Sequence, residues 1–214
     1  MKKILLAALV FASVAVGAET TDTTTKASDT AIKTRWYIGA GLSGNSSSVD
    51  LKTPGIGKIA TFESSSGGIN INGGVRIGEY FRTGLNISST SGSVDQKVPG
   101  LGKVADEDFT STIVAAEFVG IIPVSQMVEL EAGLSIGRLS YSLDLSSDII
   151  GLDEKNHTLV GLLLGCVVNF TENHALTIAF KGSGYSGSSI NQFLDPVKYD
   201  GTVSEFQIGY RYTF

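Results

Sequence analysis

Ester or amide hydrolysis calls for a nucleophile, a general base and a group that orients the base, and histidine is the usual base near neutral pH. The chain has two histidines, His157 and His174. Asp153, Glu154 and Thr158 stand beside His157, while His174 closes the short polar segment Thr171-Glu172-Asn173-His174. Neither neighbourhood brings the three roles together, so no catalytic residue is assigned. Asp144, Asp148, Asp153 and Glu154 could hold calcium, but their spacing does not match an EF-hand loop and reads as a solvated acidic segment. No metal or cofactor is expected.

A second candidate for chemistry is the phrase VDLKTPGIGKIA at 49–60, which returns as VDQKVPGLGKVA at 94–105 with eight identical positions. The GIGK and GLGK cores suggest phosphate binding. A phosphate loop, however, needs a longer glycine-rich span and a Ser or Thr after the lysine, and here Ile59 and Val104 follow. Thr53-Pro54-Gly55-Ile56 and Val98-Pro99-Gly100-Leu101 have instead the Pro-Gly centre of a type II turn. Each copy is therefore read as a hairpin tip, and the pair as a duplicated hairpin. Lys52, Lys58, Lys97 and Lys103 keep the tips solvated. With the projecting Ile56 and Leu101 they also offer a contact surface for lipopolysaccharide phosphates or a surface ligand, lysine serving as a compact point charge.

The elements that would carry such tips are set by compartment and by hydropathy. Lys2 and Lys3, an apolar run from Ile4 to Val16 and small residues at Val16-Gly17-Ala18 make residues 1–18 a secretory leader. Residues 19–35 are Thr-rich, charged and aperiodic, which predicts a disordered tail. The chain carries 16 basic and 21 acidic residues, and loss of the two leader lysines takes the net charge from −5 to −7, which argues against a nucleic-acid partner. The longest apolar run, 159–168, is half the length a spanning helix needs, about 20 residues. The single cysteine, Cys166, gives no disulfide framework and reads as an apolar packing residue.

Strict alternation appears instead. In FQIGYRYTF, Phe206, Ile208, Tyr210, Tyr212 and Phe214 alternate with Gln207, Gly209, Arg211 and Thr213, as in a strand between an apolar and a polar medium. Seven earlier segments behave alike: those opening at Trp36, Gly67, Phe81, Thr110, Met127, Thr158 and Ala175. The sixth is apolar on both faces, so its orientation stays open. Short connections alternate with long ones, the rule for bacterial outer-membrane barrels, and about 9–11 residues suffice per crossing. The expectation is an all-β, closed, eight-stranded antiparallel transmembrane barrel over 36–214, with short periplasmic turns, long external hairpins and an interfacial aromatic girdle.

This pattern resembles the small outer-membrane barrels of the OmpA-transmembrane-domain, OmpX and opacity-protein kind. The resemblance implies residence in the bacterial outer membrane, with the tail in the periplasm, lipid and lipopolysaccharide as neighbours, and a monomer. It also implies that the barrel-assembly machinery reads Tyr210, Tyr212 and Phe214. Some such barrels modify lipid A, but the Ser that would stand two positions after the histidine is here Leu159.

With the apolar positions outward, Arg76, Arg82, Lys181 and Arg211 point inward against Glu117, Glu129, Glu131 and Glu205. A basic residue on the lipid face near mid-bilayer would cost about 2–4 kcal/mol. An eight-stranded barrel is just wide enough for side chains to fill, and buried charges must pair. A packed, charge-plugged interior with a surface role follows. The alternative is a narrow porin-like conduit, or an OmpW-like one for small or hydrophobic solutes.

Overall fold

The structure, a computed structural model, describes residues 33–143, 156–189 and 197–214. Eight strands follow in order: β1 Thr34–Thr53, β2 Gly57–Ile77, β3 Phe81–Val98, β4 Gly102–Pro123, β5 Val128–Leu143, β6 Asn156–Asn169, β7 His174–Ser189 and β8 Val197–Thr213. Each pairs antiparallel with the next, and β8 pairs with β1 to close the barrel. Closure leaves no sheet edge, the condition for a sheet whose outer face meets lipid.

The alternation read from the sequence is the alternation of the wall. Trp36, Ile38 and Leu42 on β1, Leu130, Leu134 and Ile136 on β5, and Phe206, Ile208 and Tyr210 on β8 all face outward and exposed. Between them Tyr37, Ser43, Glu129, Glu131, Gln207 and Arg211 face inward and buried. The facing of β6, open from sequence, is settled by burial: Leu159, Leu163 and Val167 point in, while Val160, Leu162 and Leu164 point out. Cys166 shares the outward parity and is half-buried, opposite Leu130 and Ile178.

The strands run further than their apolar stretches. β1 begins at Thr34, two residues before the Trp36 start expected from sequence, and Arg35 pairs in register with Arg76. The rest of the expected tail, the leader and the acidic segment from Asp144 to Glu154 lie outside the described residues. At the other end β1 to β4 span 20, 21, 18 and 22 residues, against 16, 14, 16 and 17 for β5 to β8. A membrane crossing takes about 9–11, so the first two hairpins continue roughly ten residues beyond it.

Turn chemistry is local. Ser125 Oγ accepts from the amides of Met127 and Val128, and Thr171 Oγ1 from those of Asn173 and His174, fixing two of the short turns. The repeated phrases form tips as expected. Ile56 N–H donates to Thr53 O at 3.2 Å and Leu101 N–H to Val98 O at 3.1 Å. Gly55 and Gly100 take φ of +81° and +84°, the left-handed conformation that a type II turn asks of its third residue. Just beyond each tip the register slips by one residue, with Ile59 and Val104 as the extra residues.

Candidate functional site

The inward side chains form a ladder of polar layers rising from the short-turn end. At its foot the Arg76 guanidinium donates to both carboxylate oxygens of Glu129, at 2.9 and 3.0 Å, and to the carbonyls of Gly78 and Glu79. Next comes Glu131, which takes Arg82 through Nε and Nη2 at 2.8 and 2.7 Å, and Arg211 through Nη1 and Nη2 at 2.7 and 3.3 Å. Its side chain is 2 % exposed, so the two bidentate pairs replace its water shell. Arg82 Nη1 also donates to Glu117 at 3.1 Å, Lys181 Nζ lies 2.7 Å from Glu117, and Glu205 follows at 3.8 Å from Lys181. All eight expected interior charges are brought into this one ladder, four of each sign.

Tyr37 is part of the ladder, a role that charge counting did not reveal. Its hydroxyl accepts from Arg82 Nη1 at 3.2 Å, and the guanidinium carbons of Arg82 and Arg211 lie 5.6 and 5.1 Å from its ring centroid. Room for the ring comes from Gly74 and Gly84, where an added Cβ would stand 2.8 and 2.3 Å from the Tyr37 hydroxyl. Above the charges, Gln207 joins Glu205 to Asn86 and Asn70. The space left among Arg82, Glu117, Glu131 and Arg211 is about 20 Å³, enough for about one water.

Further toward the hairpin tips the interior changes character. Thr90 Oγ1 accepts from Asn45 Nδ2 at 3.1 Å and from Ser66 Oγ at 3.0 Å, and lies 2.8 Å from Ser111 Oγ. Over this layer opens a cavity of about 70 Å³ whose side from β1 to β4 mixes serine hydroxyls with Phe62, Phe109 and aliphatic side chains, and whose side from β5 to β8 is an aromatic wall. His157 is in the aromatic wall, 5 % exposed. Tyr141 and Tyr199 hydroxyls meet its ring nitrogens at 3.0 and 3.1 Å, and Tyr141 and Tyr185 stack on its faces at 5.2 and 4.8 Å. Sequence reasoning weighed His157 only as a general base beside Asp153, Glu154 and Thr158 and missed this cluster. The signal was there: the parity that sends Lys181 and Glu205 inward also sends Tyr185 and Tyr199 inward.

His174 lies on the opposite end, where its Nδ1 bonds the Tyr210 hydroxyl and its ring meets Tyr212 edge-on at 5.2 Å. Tyr212 in turn packs edge-on against Phe214 at 5.0 Å. Tyr210 and Phe214 face outward beside Trp36, Tyr80, Phe81 and Phe170, an aromatic band around the short-turn end.

At the tips every one of the four lysines is engaged. Lys58 meets Asp50 at 2.7 Å and Lys103 meets Asp95 at 2.8 Å, the same pair in both copies of the repeat. Lys52 reaches Asp200 on β8 at 2.8 Å and Lys97 reaches Glu63 on β2 at 2.5 Å. Such exposed pairs are worth about 0–1 kcal/mol each, but they offset the charge that a free lysine would offer an anion. Beside Pro54 and Pro99, which open the turns, Ile56 and Leu101 stand out at 76 % exposure each.

A family model described as the outer membrane protein beta-barrel domain matches residues 4–214. Among solved structures the chain is similar to the outer membrane protein OprG of Pseudomonas aeruginosa, at 16 % identity and TM-score 0.58, over 86 % of this chain and 97 % of that one. It is similar to Neisserial surface protein A at 17 % identity and TM-score 0.58, over 84 % and 97 %, and to the outer membrane protein AlkL at 11 % identity and TM-score 0.52, over 91 % and 97 %. At these identities the likeness is one of fold. No curated protein matches the chain in sequence.

Proposed function

The chain belongs to the outer-membrane β-barrel domain family, and from that membership we propose that it is a non-enzymatic, non-conducting barrel whose work lies at its hairpin end, facing away from the cell. The short turns and both chain ends then lie on the periplasmic side, as in bacterial barrels generally. The barrel stands as a monomer among lipid and lipopolysaccharide, and is delivered there by the assembly machinery acting on its last strand. The observation that carries the reading is the ion-pair ladder. Arg82, Glu131 and Arg211 cross the interior with space for about one water beside them, and ions or solutes have no path through a layer so filled.

The first two hairpins, with their duplicated tips, are the candidate contact elements. Their lysines are tied to carboxylates, so the apolar tips Ile56 and Leu101 are the better candidates for contact than the lysine charges are. Two adjacent, equivalent tips give two-point attachment, which raises avidity where both can engage at once.

Single-channel recording of the refolded barrel in a planar bilayer tests the plug. The wild type is expected to show no steady conductance. A Glu131→Ala, Arg211→Ala double variant removes one charge of each sign and leaves Arg82 and Lys181 with Glu117 as partner; it is expected to show openings. Long-lived wild-type openings would overturn the plug and put a narrow conduit in its place.

A further inference from the structure

The outer wall carries one cation that the ladder does not account for. Toward the hairpin end the apolar outward positions of the other strands give way to a rim of glycine, serine or threonine, as at Gly44, Ser89 and Ser204. On β5 the rim position is Arg138, two residues past Ile136 on the same face. Its side chain is exposed. Between the aromatic band and this rim it is the one charged residue among the described outward positions. A guanidinium on the lipid face costs about 2–4 kcal/mol at mid-bilayer but only about 0–1 at the interface, so Arg138 marks the edge of the hydrocarbon.

Its surroundings divide at its own level. On the short-turn side are Ile136 and Val160, with Val114 alongside, all exposed and apolar. On the hairpin side the outward neighbours are polar: Thr158 is in register with Arg138, and Ser140 lies between Thr112 and Asn156. Ser140 Oγ donates to Asn156 Oδ1 at 2.7 Å, which occupies the amide's acceptor and leaves its Nδ2 for another partner. Arg138 has no carboxylate and no hydrogen-bond partner among the described residues, unlike the four tip lysines. Along β4 the first acidic side chain beyond Thr112 is Asp108, four residues on, about 13 Å at the rise of a strand. The patch therefore offers donors to an anion, beside an apolar wall.

We propose that Arg138 anchors a docking site for a phosphorylated glycolipid of the outer leaflet, the lipid A part of lipopolysaccharide. The phosphate takes the guanidinium fork side-on, with Thr158 and Asn156 as further donors, while the acyl chains lie along Ile136, Val114 and Val160. A planar guanidinium matches two phosphate oxygens at once, which a lysine does not. Depth selects a lipid: the partner must hold its anion where the apolar wall ends and keep apolar chains below it. The choice of leaflet rests on the reading that places the hairpins outside; the phosphate contact does not.

The test uses the full barrel in phosphatidylcholine nanodiscs with rising fractions of bisphosphoryl lipid A, with the same lipid dephosphorylated, or with inorganic phosphate in the buffer. The Nε–Hε signal of Arg138 and the backbone amides of Ser140 and Thr158 report contact. Saturable shifts are expected with the phosphorylated lipid alone. Arg138→Gln, read through the two amides, should weaken that binding about tenfold or more, as loss of a charge-assisted hydrogen-bonding group implies. Lys198→Gln removes an equal charge from an exposed position on β8 and should leave it unchanged. Equal shifts with the dephosphorylated lipid, no saturable shift, or an equal loss in the two variants would each overturn the site. A response to inorganic phosphate as strong as that to the lipid would overturn the lipid assignment. Orientation is read separately: on intact cells Ile56→Cys should take up a membrane-impermeant maleimide beyond the wild-type level. Labelling only after the envelope is opened would overturn the outward hairpins and the lipopolysaccharide assignment with them, whereas a failed titration with normal labelling overturns the site alone.

Discussion

Glu131 is the residue on which the interior turns, because it holds two arginines while every other carboxylate in the ladder holds no more than one. Removing it differs from removing one of its partners. Glu131→Ala leaves Arg211 buried without a counter-charge, a loss of about 3–5 kcal/mol. Arg211→Ala leaves Glu131 still bidentate with Arg82 and should cost clearly less. Urea unfolding of the two refolded variants checks the order, and a larger loss for Arg211→Ala would contradict it. Tyr37 depends in the same way on what lies behind it. At Gly84 an added Cβ would meet the tyrosine hydroxyl at 2.3 Å and the Gly73 carbonyl at 2.5 Å, so Gly84→Ala should destabilise by about 1–3 kcal/mol through overpacking. Gly182, with nothing within 4 Å of an added Cβ, should accept alanine with little change in the same assay. Neither Tyr37 nor its glycines could be weighed from sequence. Alternation says which way a ring points, but the guanidinium above it and the bare backbone beside it come from strands distant in the chain.

Among the elements, those flanked by two different media were legible and those flanked by one were not. β8 and β5 read at once because lipid faces one side and the charge ladder the other. β6 was ambiguous because Leu159, Leu163 and Val167 are apolar inside a barrel whose outer face is apolar too. Past the lipid the contrast fades again: β1 continues through Asn45, Ser46, Ser47 and Ser48, polar on both faces, and so the strands were read too short and the aromatic cavity at their far end was missed. The tips were legible because Pro-Gly leaves few choices of turn. Their ion pairs were not legible as pairs, although the residues were named. The Asp50 carboxyl is held below its ordinary 3.8, first by the hydrogen bond from Lys58. A carboxyl with a lowered folded pKa stabilises the tip above its unfolded value, and that support is lost as pH falls through the folded one. Carboxyl NMR titration should therefore place the Asp50 midpoint below 3.8, with Lys58→Ala moving it upward. An unchanged midpoint in the variant would show that Lys58 is not the cause.

As a whole the molecule is a wall of sequence-adjacent hairpins, closed by the one pairing of β8 with β1 and filled with charge of both signs. That arrangement has an electrical consequence. The four cations and four anions of the ladder cancel, so a potential across the membrane finds no net charge in the interior to move. One unbalanced elementary charge crossing the full field would exchange about 2.3 kcal/mol per 100 mV, enough to bias a conformational equilibrium. The native barrel should accordingly stay silent in a planar bilayer at either polarity, and the balanced Glu131→Ala, Arg211→Ala variant should open equally at both. Arg82→Ala alone leaves the interior one charge short, and its openings should favour one polarity. The matched charges thus do more than fill the barrel: they make it indifferent to voltage.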